Sequence, residues 1–131
     1  MARAITPFLM FEGRAEEAMN FYVSLFAGSK VIRVERYGPG EPGREGSIKR
    51  ASFRVCGQDL LCIDSPVSHA FTFTPSLSIF VECETEAELD EVFAQLSTNG
   101  QILMPLASYG FSKKFGWLND RFGVSWQLNL A

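Results

Sequence analysis

His69 is the only histidine in this chain of 131 residues, and its side chain is the one whose ordinary pKa lies near neutrality. Asp64 lies five positions earlier (69 − 64), and Cys62 lies two positions before Asp64. In one interpretation, His69 is a general base oriented by Asp64. Cys62 is then the only candidate nucleophile that could pair with this base. In the other, His69 belongs to the loop segment PVSHA (66–70) and is exposed or caps a turn. The loop context favours the second interpretation, because loops carry many such residues.

The three cysteines, Cys56, Cys62 and Cys83, are odd in number and have no C-x-x-C spacing. Reduced, mostly buried thiols in a cytoplasmic protein are the simplest explanation. The net charge is −3, and the basic pairs at 49–50 and 113–114 do not form a track for phosphates, so we expect no nucleic-acid partner. We also expect no membrane partner, because no apolar run approaches the roughly 20 residues that span a bilayer.

The elements that position these side chains are indicated by an internal repeat. TPFLMFE (6–12) and TPSLSIFVE (74–82) begin 68 positions apart (74 − 6), and each leads into a helical pattern followed by three strand-like runs. The sequence therefore predicts an α+β fold of two β-α-β-β-β units in one domain, 1–131. The units occupy about 4–64 and 75–130, with a connection at 65–74.

Hydrophobic periodicity predicts the individual elements. One helix covers 14–26, and the second begins at the capping box of Thr85 and Glu88 and ends at Asn99-Gly100. The predicted strands are 4–11, 30–37, 48–56, 59–64, 76–82, 101–107, 113–119 and 124–130.

Side chains alternate between two faces along the strands. In 124–130, Val124, Trp126 and Leu128 lie on one face, and Ser125, Gln127 and Asn129 lie on the other. This pattern predicts a curled mixed sheet around a partly polar cavity, with the helices on the outer face. A flat, solvated sheet face would give the same alternation.

Several segments resemble one known family. They are FLMFEG (8–13), AMNFY (18–22), CGQDL (56–60), FTFTPSLS (71–78) and GWLNDRFGVSWQ (116–127). Together with the paired units, they resemble the vicinal oxygen chelate superfamily of glyoxalase I, bleomycin-resistance proteins and dioxygenases. Within that superfamily they are similar to the PhnB-like proteins, which carry the description demethylubiquinone methyltransferase-like.

The resemblance implies a divalent metal held by His and Glu on the first and last strands of each unit. The corresponding positions here lie close to Pro7, Cys62, Ser76 and Gln127, which do not form a ligand set, so we expect no metal. The family description implies a methyltransferase, yet the chain contains no G-x-G-x-x-G for S-adenosylmethionine. We therefore predict no bound cofactor.

The resulting functional hypothesis is a small organic ligand in the sheet cavity, and the alternative is a metal-dependent lyase or isomerase, or the methyltransferase. A homodimer is also implied by the resemblance, with Phe71 and Phe73 as candidate interface anchors. The candidate ligand-binding residues are Cys62, Asp64, His69, Ser76, Ser78, Trp117, Gln127 and Asn129.

Overall fold

A computed structural model describes every residue of the chain, Met1–Ala131. The order β-α-β-β-β occurs twice, as the repeat predicts. The first set comprises β1 (Phe8–Phe11), α1 (Ala15–Leu25), β2 (Lys30–Arg36), β3 (Ile48–Val55) and β4 (Gln58–Asp64). The second comprises β5 (Ser78–Glu82), α2 (Glu86–Ser97), β6 (Gln101–Ala107), β7 (Lys114–Asn119) and β8 (Ser125–Leu130).

The chain divides into two compact units, Met1–His69 and Ala70–Ala131. The division falls inside the predicted connection at 65–74. Each unit contains one four-stranded mixed sheet with one helix, and the α+β class is confirmed. Neither α1 nor α2 has the length and hydrophobicity that a membrane crossing requires.

Two strands begin two or more residues later than the sequence predicts. β1 begins at Phe8 because Pro7 has no amide hydrogen, and only its carbonyl joins the ladder, as acceptor from the Leu61 amide at 2.9 Å. β5 begins at Ser78, because Thr74 and Leu77 close a turn in which the Leu77 amide donates to the Thr74 carbonyl. The predicted strand starts at 4 and 76 are therefore wrong.

The first sheet has the strand order β1-β4-β3-β2, with β1 parallel to β4 and the other pairs antiparallel. Helix α1 covers the face that carries Phe53, whose ring lies 6.4 Å from that of Tyr22. Both rings are fully buried. This face holds the core of the unit, which includes Leu9, Phe11, Ala51, Val55, Leu60 and Cys62.

The second sheet has the equivalent order β5-β8-β7-β6, with β5 parallel to β8. Helix α2 packs on the face that carries Leu118, Trp126 and Leu128, all fully buried. It approaches β7 at Gly116, where an added Cβ would lie 2.4 Å from the Phe93 ring. The absence of a side chain at Gly116 is what allows this close contact.

The two helices begin in different ways. At α2 the predicted N-cap is confirmed, because the Glu88 amide donates to Thr85 Oγ1. The Glu88 carboxylate accepts from the amide of Glu84, one residue before the N-cap amide that a capping box uses. At α1 no neighbouring side chain supplies the cap. The amide of Ala15, the first residue of α1, donates instead to Asp64 Oδ1 at 2.9 Å, across 49 positions of sequence.

Candidate functional site

The helix-free face of the second sheet is the face opposite α2. Strand pairing places its residues in three rows across β5, β8 and β7, because Ser78 pairs with Ser125, Phe80 with Gln127, and Glu82 with Asn129. On β7 the partners of the same three β8 residues are Asn119, Trp117 and Phe115. This face therefore combines hydroxyl, amide, indole and phenyl groups, and Glu82 is the only charged side chain in these rows.

Four of these side chains form one hydrogen-bonded group, which we call the polar cluster: Ser78, Trp117, Ser125 and Gln127. Trp117 Nε1 donates to Ser125 Oγ at 2.8 Å, and the two hydroxyl oxygens lie 2.7 Å apart. Gln127 Nε2 donates to Ser78 Oγ at 3.2 Å. The cluster thus connects three strands through side chains alone.

The polar cluster has hydrogen-bonding capacity that it does not use internally. Only one of the two serine hydroxyls donates to the other, so the second keeps an unused proton. Ser125 is 1% exposed, whereas Ser78 is partly exposed, so donation from Ser125 to Ser78 leaves the unused proton on the accessible hydroxyl. Gln127 Oε1 adds an acceptor. The cluster therefore offers a donor and an acceptor, both neutral, to a molecule placed against it.

An aromatic patch extends from this face. It consists of Phe80, Tyr109, Phe111 and Phe115. The Phe80 and Phe115 ring centroids lie 6.4 Å apart, and Phe111 meets Phe115 edge-on at 5.0 Å. Phe115 is buried, but Phe80 is 53% exposed and Phe111 is 64% exposed. Exposed apolar surface beside polar groups is the usual composition of a small-molecule site.

The sequence-predicted site residues are only partly brought together. Ser78, Trp117 and Gln127 meet in the polar cluster, and Asn129 lies on the same face one row beyond Gln127. Sequence reasoning did not select Ser125, although the alternation in β8 places it on the same face as Gln127. It also did not select Phe80 or Glu82, whose positions depend on the register between β5 and β8.

Cys62 and Asp64 lie on the helix-covered face of the first sheet, and not on the cavity face that the sequence predicts. Cys62 pairs with Ala51 and Leu9 in the face that α1 covers, and it is fully buried. Burial, with Asp64 as a smaller cause, raises the pKa of the Cys62 thiol to about 12, so the group stays protonated at neutral pH. The predicted position of Cys62 on a cavity face is wrong.

Asp64 is likewise committed to the protein interior. Its Oδ1 accepts from the amides of Gly13 and Ala15 at 2.8 and 2.9 Å, and its Oδ2 accepts from the Ile48 amide at 3.0 Å. The carboxylate holds α1 and β3 at the end of β4, which corrects its predicted position beside a ligand. It also does not orient His69, whose Nε2 lies 2.8 Å from Ser65 Oγ.

Ser76 lies in the turn before β5, where its hydroxyl pairs with that of Thr74 at 2.6 Å. It is exposed and is outside the strand rows that form the polar cluster. His69 belongs to the first unit, where its backbone amide donates to the Glu12 carboxylate at 3.3 Å.

A polar groove of about 480 Å³ lies in the first unit and is lined by Glu12, Glu16, Arg44, Asp64 and Ser65 among others. Its carboxylates are partly committed to other contacts. Glu16 pairs with Arg36, whose guanidinium lowers the pKa of the Glu16 carboxyl, and Asp64 caps α1.

Comparison with known proteins identifies the family. The family model described as 3-demethylubiquinone-9 3-methyltransferase matches residues 3–129. The chain belongs to this family. A solved structure of a PhnB protein from Bacillus cereus is 60% identical, covers 98% of this chain and 100% of its own, and has a TM-score of 0.96.

Two more distant proteins are also similar to this member of the 3-demethylubiquinone-9 3-methyltransferase family. The Escherichia coli protein YjdN is 22% identical over 97% of this chain and 95% of its own length. The fosfomycin resistance protein FosX of Listeria monocytogenes is 10% identical, covers 100% of this chain and 94% of its own, and has a TM-score of 0.63, which shows a shared fold alone. The predicted glyoxalase and bleomycin-resistance fold is confirmed.

The residues present do not fit the divalent metal that the superfamily implies. No three His, Cys, Asp or Glu side chains lie close enough together to hold a metal ion. At the positions that correspond to the ligands, Cys62 lies under α1, and Gln127 is a neutral amide bonded to Ser78.

The residues also do not fit S-adenosylmethionine, which the family description implies. A cofactor of this kind is received by backbone amides at a turn between a strand and a helix. The amides of Gly13 and Ala15 at α1 donate to Asp64, and those of Glu84 and Glu88 at α2 donate to the side chains of Glu88 and Thr85. Both turns are closed by the protein's own side chains, so no methyl-transfer step is derived.

Proposed function

We propose that the protein binds a small organic molecule on the helix-free face of its second sheet. The observation that carries the proposal is the polar cluster, whose four side chains converge on this face and keep a neutral donor and a neutral acceptor unused. Ser78, Trp117, Gln127 and Asn129 are the proposed ligand-binding residues retained from the sequence, and the buried Ser125 holds the Ser78 and Trp117 side chains in place.

The chemistry of this face selects for an uncharged polar group attached to an apolar or aromatic body. A neutral carbonyl, hydroxyl or amide satisfies the hydroxyl of Ser78 and the amide of Gln127 without the cost of desolvating an ion. The apolar body would pack on Trp117 and on the exposed ring of Phe80.

The proposed function needs no metal and no organic cofactor, since the donor set around the polar cluster consists of hydroxyls, an indole and an amide. We place the protein in the cytoplasm, because none of its three cysteines forms a disulfide and two of them are buried thiols. We also treat Met1–Ala131 as one functional domain.

A homodimer is the second part of the proposal. Large apolar side chains around the start of the second unit are exposed, with Phe71 at 63% and Leu77 at 74%. Exposed aromatic anchors near a ligand-binding surface are typical of interfaces between subunits.

Titration calorimetry with benzamide tests the binding proposal. Benzamide carries a neutral donor and acceptor on an aromatic ring, which matches the unused groups of the polar cluster. We expect wild type to bind it in the millimolar range or better, and Gln127→Ala to lose about fivefold to tenfold in affinity, the value of one or two hydrogen bonds.

Gln58→Ala is the matched control, because it makes the same substitution at an exposed position of β4 in the first unit. Its affinity for benzamide is expected to equal that of wild type. No binding by wild type, or equal losses in the two variants, would contradict the proposal.

A further inference from the structure

Glu82 and Asn129 form a second polar feature on the helix-free face, at the opposite end from the serines. Asn129 Nδ2 donates to Glu82 Oε2 at 3.0 Å, and the two residues are register partners in β5 and β8. They lie four positions along the strands from the Ser78 and Ser125 pair, a separation of about 13 Å. The face therefore has two ends of different chemistry.

The Asn129 side chain has an unmet requirement for a hydrogen-bond donor. A carboxylate only accepts hydrogen bonds, so the amide nitrogen of Asn129 must face Glu82 and its Oδ1 faces elsewhere. That oxygen is buried and has no hydrogen-bond partner, in a side chain that is only 8% exposed. An unpaired buried acceptor is costly, and a donor supplied by a bound molecule would remove the cost.

The surroundings of this pair favour a cation as that donor. Glu82 is exposed and is the only charged side chain in the β5, β7 and β8 rows. Phe80 precedes it by two positions on the same face, and Phe115 is the register partner of Asn129 on β7. A carboxylate with aromatic rings beside it attracts organic cations. The carboxylate does so through its charge, and the rings do so through their electron-rich faces.

We propose that the Glu82–Asn129 end of the helix-free face binds an organic ammonium group that carries at least one N–H. The N–H donates to Asn129 Oδ1, the charge pairs with Glu82, and the attached carbons pack on the exposed ring of Phe80. The inference rests on the proposed function, because it concerns a ligand on the same face and assigns a positive charge to one end of that ligand.

Three probes that share a benzyl group test the proposal by calorimetry: benzylamine, benzyl alcohol and benzyltrimethylammonium. Benzylamine is a cation with N–H donors at neutral pH, benzyl alcohol is its neutral counterpart, and the trimethyl compound keeps the charge without the N–H. We expect benzylamine to bind about tenfold more tightly than benzyl alcohol, with the trimethyl compound between them.

Glu82→Gln removes the charge with little change in shape. Benzylamine should then bind no more tightly than benzyl alcohol, whose own affinity should not change. Glu91→Gln on α2 is the matched control, since Glu91 is an exposed carboxylate outside this face, and it should leave the preference for benzylamine intact.

Equal affinity of wild type for benzylamine and benzyl alcohol, or a preference that survives in Glu82→Gln, would overturn the proposal. So would a failure of all three benzyl probes to bind. Benzamide binding, measured on the same protein, then separates the two ideas. If benzamide still binds, only the ammonium site is wrong, and if benzamide also fails, the proposed function is wrong as well.

Discussion

Trp117 and Trp126 lie nine positions apart (126 − 117) and have opposite surroundings. Trp126 is fully buried under α2, and its indole N–H donates to Asp120 Oδ2 at 2.9 Å. Trp117 is partly exposed on the helix-free face and donates to Ser125. The alternation of side chains along β7 and β8 is therefore sufficient to separate a core residue from a site residue.

Substitutions at adjacent positions of β8 test this separation. Trp126→Ala should lower the free energy of unfolding by about 3–5 kcal/mol, because it leaves a large cavity and removes the indole hydrogen bond to Asp120 Oδ2. Gln127→Ala should lower it by about 1 kcal/mol or less, since the lost bond to Ser78 is partly exposed. Urea melts measure both values, and the reverse order would mean that the β8 register is wrong by one residue.

Cys62 makes the stability depend on alkaline pH. Its pKa rises from 9.0 to about 12 on folding, so the folded state holds this proton more tightly than the unfolded state does. The stabilisation is complete below pH 9 and is lost as the pH rises from there toward 12.

Wild type should therefore lose more stability than Cys62→Ala between neutral pH and about pH 10 in urea melts. The comparison between the two proteins removes the contributions of lysines and tyrosines, which both share. Parallel losses would show that the Cys62 thiol is not desolvated.

At the level of elements, features that depend on residues close in sequence could be predicted better than features that depend on long-range contacts. The spacing of Thr85 and Glu88 was sufficient for the start of α2, because the N-cap hydroxyl and the amide that it accepts from lie within one turn. The cap of α1 could not be predicted, because Asp64 reaches it through the parallel pairing of β1 with β4.

The face of β4 was predicted incorrectly for a related reason. Leu60 and Cys62 alternate with Leu61 and Ile63, so both faces of this strand are apolar and the pattern does not identify the one under α1. Asp64 is polar, as a cavity residue would be, but its partners include backbone amides of a helix and a strand.

The close packing of α2 on β7 depends on Gly116. In Gly116→Ala the new Cβ would lie 2.4 Å from the Phe93 ring and 2.7 Å from Leu106 Cδ2, so the helix or both side chains must shift. We expect a loss of about 1–3 kcal/mol in the free energy of unfolding.

Gly38→Ala is the control for this prediction, because the nearest atom to its Cβ is Glu41 Oε1 at 3.4 Å. Its free energy of unfolding should change by about 0.5 kcal/mol or less. Equal effects of the two substitutions would mean that α2 is not in close contact with Gly116.

For the whole molecule, the internal repeat predicted the order of all ten elements, while the site required knowledge of strand pairing. Ser78 and Gln127 follow from alternation along their strands, but Phe80 and Glu82 join them only through the register of β5 against β8. The oligomeric state depends on which residues form the surface, whereas the sequence shows only the aromatic content of the chain.

The proposed homodimer has a direct measurement. Light scattering of the wild-type protein at micromolar concentration should give a mass near twice 14.6 kDa. Phe71→Ala should shift the population toward the monomer, because the exposed ring is a proposed interface anchor. A wild-type mass near 14.6 kDa would remove the dimer from the account.

Binding of a small molecule to the helix-free face of the second sheet can be observed directly by nuclear magnetic resonance. In a titration of ¹⁵N-labelled protein with benzamide, the Trp117 indole N–H and the Gln127 side-chain amide should shift together in a saturable manner. The Trp126 indole N–H should stay in place, because it is held by Asp120 on the α2 side of the sheet. Shifts confined to the first unit, equal shifts of both indoles, or no shift at millimolar benzamide would contradict binding at this face.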